Sequence, residues 1–597
     1  MNKFILLILA SLIFLSYISY SQSRTWKEHG SPCQNNKKVF CSIPLMYESG
    51  RTGEDYYIGP EIPVTGASGF YDYQSIGDCR HYIDRSSSTE LHAVFLRSTD
   101  SMNNVSTRRT AYCFSDDQGV TWTFITTIPD AVVSDFPSLS SLSTGEALIS
   151  NNFVGAFNNF SYAAYDVAPG AGSFTTASTP SQIFNPGCTR LSDGTVLLSG
   201  TTMINSSQTD SAVVTIFNDN THTFSNTHKF TTGDFIDQSN MRITCASGPD
   251  GRALILLSPV NDNGSTAGFN RMFIAFTTNS GQTWSQPQIF YNPGLLNGQI
   301  AIPFRGIDAV YDNSGNYYVA FNTTDTSGNY SSAKLWVSKN GGTPVIIAQH
   351  TGSNSIAEAA NTLSSPQAGF CTIDHPSLSV SSNGSLLFVT YSVMFQNDTL
   401  NEFNKCHIYV SCSLTNILNF SNPIGVTNAG PNSFDERYSS IARISPDISG
   451  SSGITVYLVY QKDPQPGSCA NGDNAPISRS SLVFRIMNGF QTFPGVIQTN
   501  SEIPLDSDLR QNYPNPFNPE TQIEFELNIE SNVKLLLYDI NGRFLENIYS
   551  NENASAGKYT YLFNGSNYSS GVYFISLQIV NKNGKSQNLS RKMLLVK

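Results

Sequence analysis

The chain has 597 residues, too many for one compact core, so we expect at least two domains. Its net charge of −11 and pI near 5.2 leave no basic face, which argues against binding to nucleic acid or to an anionic membrane. Only 13% of the residues are charged and 12% are aromatic, while Gly, Ser, Thr and Asn recur throughout. This composition favours many short β-strands joined by polar turns.

Residues 1–21 have the pattern of a signal peptide. A lysine precedes an apolar run over residues 4–18, and the small residues Ser19 and Ser21 stand before a cleavage site at Gln22. An uncleaved membrane anchor is the alternative, but a bilayer span needs roughly 20 apolar residues. We therefore predict an exported chain with a lead-in segment over residues 22–70 and no transmembrane segment.

Export places the ten cysteines where disulfides can form. Cys33 and Cys41 could close a small local loop, whereas Cys406 and Cys412 flank the probable strand HIYVS and could pair only if the chain bends. There is no CxxC and no HExxH, so neither a zinc site nor a redox site is predicted. We expect no cofactor, and Ca²⁺ in the central channel would have no motif to support it.

Between residues 71 and 495 the sequence repeats a turn, usually carrying glycine, that is followed by an apolar strand. The marker residues of these units are Thr89, Gly145, Gly194, Gly251, Gly315, Gly384 and Gly453. Successive markers are 49 to 69 residues apart, enough for four short strands, whereas β-sandwich domains would need about 100 residues each. The pattern predicts an all-β fold, a β-propeller of four-stranded blades. Seven blades are favoured, and six is the alternative because the first marker is Thr.

A second turn recurs at a fixed distance from the markers. SDDQGVTW places Gly119 30 residues after Thr89, TTNSGQTW places Gly281 30 residues after Gly251, and a shortened relative, SKNGGTP, begins at Ser338. Their side chains suit a tight turn, with acceptors for backbone N–H groups, glycines for left-handed backbone and tryptophans to pack back over the hairpin. The residues concerned are Ser115, Asp117, Gly119, Thr121 and Trp122 in the first turn, and Thr277, Asn279, Gly281, Thr283 and Trp284 in the second.

These turns resemble the Asp-box, or BNR repeat, of sialidase-like propellers. SDDQGVTW matches S-x-D-x-G-x-T-W in full, and TTNSGQTW matches with Thr for Ser and Asn for Asp. The resemblance implies a hairpin between the third and fourth strands of a blade, on the outside and away from the central funnel. It indicates a structural role and a fold, not an activity, because such turns occur in propellers of many functions.

The pattern of residues changes in the tail. We predict a linker over 496–508 followed by a small Ig-like β-sandwich over 509–597. Its hairpin-length strands are joined by NG and SG turns. The tail closely resembles the type A C-terminal sorting domain of the type IX secretion system, in the motifs NYPNPFNP (512–519), YDINGR (538–543), GVY (571–573) and KMLLVK (592–597). The resemblance implies Bacteroidota-type export by the type IX machinery, with release or attachment at the cell surface. A generic Ig-like adhesive module is the alternative.

Ligands of propellers usually bind where the blades converge on the central channel, so the residues leading into the innermost strands are the candidate site. They are Tyr71, Asp72, Tyr73, Asp135, Asn240, Arg242, Arg305, Asp374, His375, Asp435, Glu436, Arg437 and Tyr438. Among them Arg242, Arg305, Arg437, Asp135, Asp374 and His375 are the predicted ligand-binding residues, since arginines can hold a carboxylate bidentately. The plainer interpretation is that an acidic residue before a strand caps a turn.

A sialidase-like reaction would use Tyr438 as nucleophile paired with Glu436, and a carboxylic acid such as Asp72 to protonate the leaving oxygen. Against it, the F/Y-R-I-P motif of sialidases is missing: CSIP at Cys41 has Ser in place of Arg, and FRGI at Phe304 lies mid-chain. The sequence therefore favours a non-catalytic surface propeller that binds glycan or protein through its funnel. A sialidase-like exo-glycoside hydrolase is the alternative.

Overall fold

The computed structural model describes residues 56–597 with gaps, and every regular element in this part is a β-strand. The gaps fall at 76–80, 103, 129–132, 155–158, 181–182, 205–206, 231–240, 260–270, 297–298, 326–332, 353, 361–370, 416–417, 419, 431–432, 447–453, 471–474, 490–495, 501–503, 505, 555, 566–567 and 583. The predicted signal peptide, Cys33, Cys41, Asn240 and Gly453 lie outside the described residues. Within them, no helix has the length and apolar character needed to cross a membrane.

Seven sheets, which we number in chain order, precede the tail. The strands of sheet 1 are Ile83–Arg85, Leu91–Arg97, Arg109–Ser115 and Thr123–Ile128. Those of sheet 2 are Val133–Ser141, Ala147–Val154, Asn159–Tyr165 and Thr175–Ser178. Those of sheet 3 are Ile183–Arg190, Val196–Ile204, Ser207–Asn218 and Thr223–Phe230. Those of sheet 4 are Met241–Ser247, Ala253–Pro259, Met272–Thr277 and Gln288–Tyr291.

The later sheets add short strands to the same four-stranded plan. Sheet 5 comprises Gly294–Leu296, Gln299–Tyr311, Tyr317–Thr324, Lys334–Lys339 and Val345–Ala348. Sheet 6 comprises Ile373–Ser381, Leu386–Leu400, Phe403–Leu414 and Ile424–Gly425, with Ile444–Ser445 parallel to its first long strand. Sheet 7 comprises Asp435–Ile441, Ile454–Asp463 and Ser480–Gly489, and its outer positions are taken by Tyr56–Ile58 and Ile62–Gly69.

Sheet 7 corrects the predicted domain boundary at residue 70. The sequence placed a lead-in segment over 22–70, but Tyr56–Ile58 and Ile62–Gly69 pair antiparallel with Ser480–Gly489. The repeat supplies only three strands to this last sheet, so the edge of its third strand needs partners from elsewhere. The start of the described chain is therefore part of the repeat domain, and it joins the two ends of that domain.

The sheets form a closed ring. The inner strand of each sheet (the strand at the centre of the ring) contacts that of the next, and the inner strand of sheet 7, Asp435–Ile441, contacts that of sheet 1, Ile83–Arg85. Buried apolar residues fill the space between the faces of adjacent sheets. This arrangement is a β-propeller, and the predicted marker turns that lie within the described residues join its inner strands to the second strands.

Hydrogen bonds from backbone N–H groups link adjacent inner strands. An inner strand has a free edge at the centre of the ring, so half of its N–H groups need partners beyond its own sheet. Ile441 N–H in sheet 7 donates to Ser377 Oγ in sheet 6 at 3.1 Å, and Leu378 N–H in sheet 6 donates to Asp308 Oδ2 in sheet 5 at 2.7 Å. Tyr82 N–H, before sheet 1, likewise donates to Ser440 Oγ in sheet 7 at 3.1 Å.

The SDDQGVTW turn joins the third and fourth strands of sheet 1. Ser115 Oγ accepts from Gly119 N–H at 2.8 Å, and Asp117 Oδ1 accepts from Thr121 N–H at 2.9 Å. Gly119 is left-handed, with φ of 84°. Gln118 N–H donates to the carbonyl of Thr89 at 2.8 Å, which explains the constant offset between this turn and the marker turn.

The TTNSGQTW turn of sheet 4 repeats this geometry. Gly281 N–H donates to Thr277 Oγ1 at 3.0 Å and Thr283 N–H donates to Asn279 Oδ1 at 3.0 Å, while Gly281 has φ of 78°. Ser280 N–H donates to the carbonyl of the marker Gly251 at 2.8 Å. The predicted turn geometry is therefore present in both copies.

The two tryptophans differ from the prediction that they cover their own hairpins. Trp122 packs edge to face on Phe484 of sheet 7, with ring centroids 5.3 Å apart, and Trp284 packs on Phe230 of sheet 3 at 5.9 Å. Each tryptophan thus lies against the preceding sheet, because the apolar surface of a propeller is buried between sheets.

The tail forms two sheets around a core of its own. Sheet 8 is ordered Val496–Asn500, Gly557–Asn564, Glu520–Leu527 and Asp508–Leu509, and sheet 9 is ordered Phe544–Ala554, Ser531–Asp539, Gly571–Asn581 and Ser586–Leu595. Val496–Asn500 pairs with Gly557–Asn564, so the segment predicted as a linker over 496–508 contributes strands to this domain. A polar composition suggested a linker there, but a short edge strand needs few apolar residues.

We predict that Gly119→Ala destabilises the propeller more than Gly384→Ala. Both glycines are left-handed, which should cost about 1–2 kcal/mol for alanine. A Cβ on Gly119 would come within 2.2 Å of the Phe484 ring, adding about 1–3 kcal/mol of overpacking, whereas on Gly384 it would meet only ordinary contacts. Urea unfolding measures both changes, and equal losses would contradict the packing of this turn against sheet 7.

Ser377→Ala tests the hydrogen bonds between inner strands. Ser377 and Ile441 are fully buried, so removing the hydroxyl leaves the Ile441 N–H without this acceptor and should cost about 1–3 kcal/mol. Ser385→Ala is the matched control, because that hydroxyl bonds only within its exposed turn, and we expect a change below about 0.5 kcal/mol. Equal free energies of unfolding for the two variants would count against this role.

Candidate functional site

Five inner strands carry a β-bulge in their first half or at their middle, and we call the end of the channel at which these strands begin the channel mouth. The residues within these bulges, which we call the bulge residues, include Phe136, Asn185, Arg305, His375 and Tyr438. All except Arg305 adopt a left-handed conformation, with φ between 44° and 55°. For bulky side chains such backbone costs about 1–3 kcal/mol each and persists only where the surroundings enforce it. Four of the five bulges therefore place a strained residue at equivalent positions, in sheets 2, 3, 6 and 7.

Two aromatic contacts connect a bulge residue to an aromatic ring of another segment. The rings of His375 and Tyr438, in sheets 6 and 7, have centroids 4.7 Å apart. Phe136 of sheet 2 packs on Tyr73, which precedes sheet 1, at 5.8 Å. Burial raises the pKa of Tyr438 well above its usual value, so its hydroxyl stays protonated.

An arginine holds the predicted binding residue Asp135. Arg108 Nε lies 2.9 Å from Asp135 Oδ1 and Arg108 Nη2 lies 2.5 Å from Oδ2, a bidentate pair. The same guanidinium lies 5.4 Å from the centre of the Tyr71 ring. Burial would lower the pKa of Arg108, but its hydrogen bonds to Asp135 raise it. The charge of Asp135 is thus balanced by Arg108 within the protein. The sequence prediction missed Arg108, although a pair of arginines directly before a strand was a usable signal.

Arg437 forms an ion pair with its neighbour in sequence. Its Nε lies 2.7 Å from Asp435 Oδ2, and Asp435 Oδ1 accepts from Cys406 N–H at 2.7 Å. Asp463 faces Asp435 in the register of sheet 7, and its Oδ1 accepts from Gln465 N–H and from the Ser478 hydroxyl. Arg437 therefore balances one of two buried carboxyl groups at this end of sheet 7.

Glu436 belongs to a separate network with sheet 6. His407 Nδ1 lies 2.8 Å from Glu436 Oε2, and its Nε2 lies 3.0 Å from Asp398 Oδ2. Lys405 Nζ lies 3.2 Å from Asp398 Oδ1. Burial would lower the pKa of His407, but the hydrogen bonds to Glu436 and Asp398 raise it. The His407 ring is fixed between the carboxyl groups of Glu436 and Asp398, and in the sequence His407 is recognisable only as a histidine in a strand.

Asp72 and Asp374 hold loops. Asp72 accepts from the Ser468 hydroxyl at 3.0 Å and from the N–H groups of Cys469 and Ala470 at 2.8 and 3.1 Å. Asp374 accepts from Asn322 Nδ2 and from the N–H of His375, both at 2.8 Å. These contacts are the turn-capping role that the sequence offered as the plainer interpretation.

Side chains that the sequence prediction missed fill the channel below the bulges. His81 Nε2, before sheet 1, lies 3.7 Å from Asp308 Oδ1 of sheet 5. Arg443, which follows the inner strand of sheet 7, donates to the carbonyl of Cys245 in sheet 4 at 3.0 Å. Sheets 1 and 5, and sheets 4 and 7, are not neighbours, so these contacts cross the channel.

The remaining predicted arginines differ in exposure. Arg305 lies in the bulge of sheet 5 and is only partly buried, whereas Arg242 of sheet 4 is buried. The structure thus brings His375 and Tyr438 into contact and gives Asp135, Arg437, Glu436, Asp72 and Asp374 partners within the fold. Of the predicted binding arginines, Arg305 is the most accessible.

Within the described part of the chain, no group of three or more His, Cys, Asp or Glu side chains is arranged to hold a metal ion. Seven cysteines in this part are free, among them Cys406 and Cys412, which lie six residues apart on one strand. That strand does not bend, so the pairing conditional on a bend is not made.

The fold is a β-propeller followed by a C-terminal domain, and a comparison with known families identifies that domain. Residues 511–593 match the model of the secretion system C-terminal sorting domain. The chain thus carries a sorting tail of the type IX system, which indicates secretion to the cell surface or the extracellular space. No curated protein matches the chain.

Several solved structures share the general architecture at very low identity. An ulvan lyase of polysaccharide lyase family PL25 is 10% identical, with 71% of this chain and 95% of that chain covered and a TM-score of 0.46. The polysaccharide lyase Uly1 is 12% identical, with 72% and 99% covered and a TM-score of 0.45. A Penicillium chrysogenum α-L-arabinanase in complex with arabinobiose is 12% identical, with 63% and 100% covered and a TM-score of 0.36. Likenesses this distant carry no argument about activity.

The pH dependence of stability tests the buried carboxyl group of Asp463. Burial raises its pKa to about 7, whereas an unfolded Asp titrates near 3.9. Between these values the folded state holds a proton that the unfolded state has released, so the free energy of unfolding falls as pH rises from about 4 to about 7. We expect Asp463→Asn to flatten this part of the profile in urea unfolding.

Asp193→Asn is the control for that profile. Hydrogen bonds from Thr195 lower the pKa of Asp193 despite its partial burial, so its titration lies below this pH range. The control should keep the slope of the unaltered protein. A slope that Asp463→Asn leaves unchanged would show that Asp463 is already ionised in this range.

Proposed function

We propose that the protein is exported by the type IX system to the cell surface or medium and binds a glycan at the channel mouth. The observation that carries the proposal is that four bulge residues, Phe136, Asn185, His375 and Tyr438, adopt left-handed conformations at equivalent places of the inner strands. Strained backbone of this kind clusters at ligand sites, where the fold enforces it. Channel mouths formed by several blades are also a common place for small-molecule and oligosaccharide sites.

The chemistry of the bulge residues fits a sugar that bears an acidic group. His375 and Tyr438, 5% and 2% exposed, pack on each other and would form the apolar base of such a site. Arg305, partly buried in its bulge, supplies a cation able to bond a carboxylate or sulfate in two places. Arg305 is more exposed than Arg242 and Arg437, so it is the predicted arginine that a ligand would reach first.

A glycan array followed by calorimetry tests this binding. We expect saturable binding of an acidic oligosaccharide, weakened at least about tenfold by Arg305→Ala, the size expected for a lost charge-assisted pair. Arg252→Ala is the control, because Arg252 is exposed at the marker turn of sheet 4, far from the bulges along the strand. Binding that survives Arg305→Ala would remove the channel mouth as the site.

Cleavage of the bound glycan is a second candidate, supported by the contact between His375 and Tyr438. These two side chains can accept and donate protons side by side. The sialidase-like assignment of Tyr438, Glu436 and Asp72 stays a prediction. Glu436 already bonds His407, and Asp72 already bonds the 468–470 loop. Tyr438 is therefore the residue to test.

Purified protein should then release a fluorophore from an aryl sialoside or a related aryl glycoside. We expect Tyr438→Phe to reduce turnover at least about 100-fold, as for loss of an acid–base group. Tyr391→Phe is the control, because Tyr391 is equally buried in sheet 6 with its hydroxyl 2.8 Å from Ser411 Oγ. No turnover across the panel would exclude this candidate and leave the binding function to its own test.

Finer structural assignments belong to the same proposal. We take each of the seven sheets as one blade, the tail as an Ig-like sandwich, and the SDDQGVTW and TTNSGQTW turns as Asp-boxes. The hydrogen bonds of both turns and the ring of contacts between inner strands support these assignments.

A further inference from the structure

The four motifs by which the tail resembles sorting domains meet at one end of sheet 9. In the register of that sheet, Asp539 faces Tyr573, Tyr573 faces Met593, and Tyr538 faces Phe544. The YDINGR turn, the GVY strand start and the KMLLVK strand end therefore lie in one row. NYPNPFNP joins them, because Phe517 N–H donates to the carbonyl of Leu594 at 2.9 Å.

Large apolar side chains are exposed to solvent at this end of the domain. We call them the apolar tip: Tyr513, Ile540, Phe544 and Val596, which are 80%, 64%, 53% and 47% exposed. Single exposed apolar residues are ordinary, but four at one end of a small domain indicate an interaction site. Phe544 lies against Tyr538, with ring centroids 5.8 Å apart, so the exposed ring rests on a second one.

The backbone that carries Tyr513 is held firmly. Asn515 Oδ1 accepts from Leu594 N–H at 2.9 Å, and Gln511 Nε2 donates to the carbonyl of Lys592 at 2.7 Å. Tyr513 itself exchanges two backbone hydrogen bonds with Gln522. A rigid, exposed tyrosine loses little conformational freedom on binding and is a common interface hot spot.

The charge at the apolar tip is opposite to that of the chain. Arg543, Lys592 and Lys597 are exposed there, while the whole chain has a net charge of −11. The carboxylate of Asp539 is already bonded by Arg543, with Nε 3.1 Å from Oδ2. The rim of the tip therefore fits an acidic partner. Three cations are fewer than the four to eight of a typical polybasic lipid-binding cluster.

We propose that the apolar tip is the surface by which the sorting domain docks into an apolar, acid-rimmed groove on a protein of the secretion machinery. Tyr513 and Phe544 are the anchors, and Lys592 and Lys597 set the orientation, because Arg543 is paired with Asp539. The proposal rests on the sorting domain and not on the ligand of the channel, so the glycan experiments and the secretion experiment can fail independently.

Secretion of the full chain from the bacterium that produces it tests the proposal. We expect Tyr513→Ser combined with Phe544→Ser to lower the secreted amount at least about tenfold, as for loss of hot-spot contacts, with the protein retained in the periplasm. Val580→Ser is the matched control, because Val580 is 44% exposed at the opposite end of the same sheet. We expect it to be secreted normally, and Phe544→Leu to retain most secretion.

Two further measurements make the outcome decisive. Thermal unfolding of the purified variants should match that of the unaltered chain, since the replaced side chains are exposed. Co-sedimentation should show binding of the full chain to outer-membrane vesicles of the producing strain, and no binding to protein-free vesicles of phosphatidylethanolamine and phosphatidylglycerol. Normal secretion of the double variant, equal loss with Val580→Ser, or equal binding to protein-free vesicles would each overturn the proposal.

Discussion

The free edge of the inner strand is the constraint on which the propeller depends. Each sheet ends at the centre of the ring with N–H groups that its own second strand cannot bond, and an unbonded buried N–H costs about 1–3 kcal/mol. The protein meets this need with side chains of the neighbouring sheet, as where Ser377 accepts from Ile441 and Asp308 accepts from Leu378. The ring is closed by hydrogen bonds as well as by apolar packing.

The bulges follow from the same constraint. Ser377 and Ser440 each come directly after a bulge, and the register shift there aligns their hydroxyls with the next sheet. A bulge requires backbone that regular strands do not adopt, and His375 and Tyr438 adopt it at a cost in free energy. The feature that joins the sheets therefore also places two bulky, buried side chains at equivalent positions of adjacent inner strands. The fold and the proposed ligand site share one backbone element here.

The fold could be predicted largely because its signals are local. A marker such as Gly251 needs left-handed backbone, and its bond to Ser280 fixes the distance to the second turn, so both appear in the sequence at constant spacing. The site depends on contacts between distant segments. Nothing near Glu436 in sequence shows that His407 would bond it, and nothing near Asp135 shows its pairing with Arg108 beyond the presence of an arginine. Residue type suggested a ligand-facing role for these carboxylates, and only the three-dimensional arrangement shows them already partnered.

In the tail, the place where the sequence motifs meet in the structure is more informative than the presence of each motif in the sequence. NYPNPFNP and KMLLVK are separated by more than seventy residues, and each by itself reads as a turn or an edge strand. In the structure Phe517 bonds Leu594, while Val596 N–H donates to the carbonyl of Phe517 at 3.0 Å, so the two segments form one surface. The buried Phe517 explains part of the motif by packing, but packing does not require Tyr513 to be exposed beside it. An apolar ring held in water by a fixed backbone is unfavourable for the isolated domain, and burial against a partner would remove that cost.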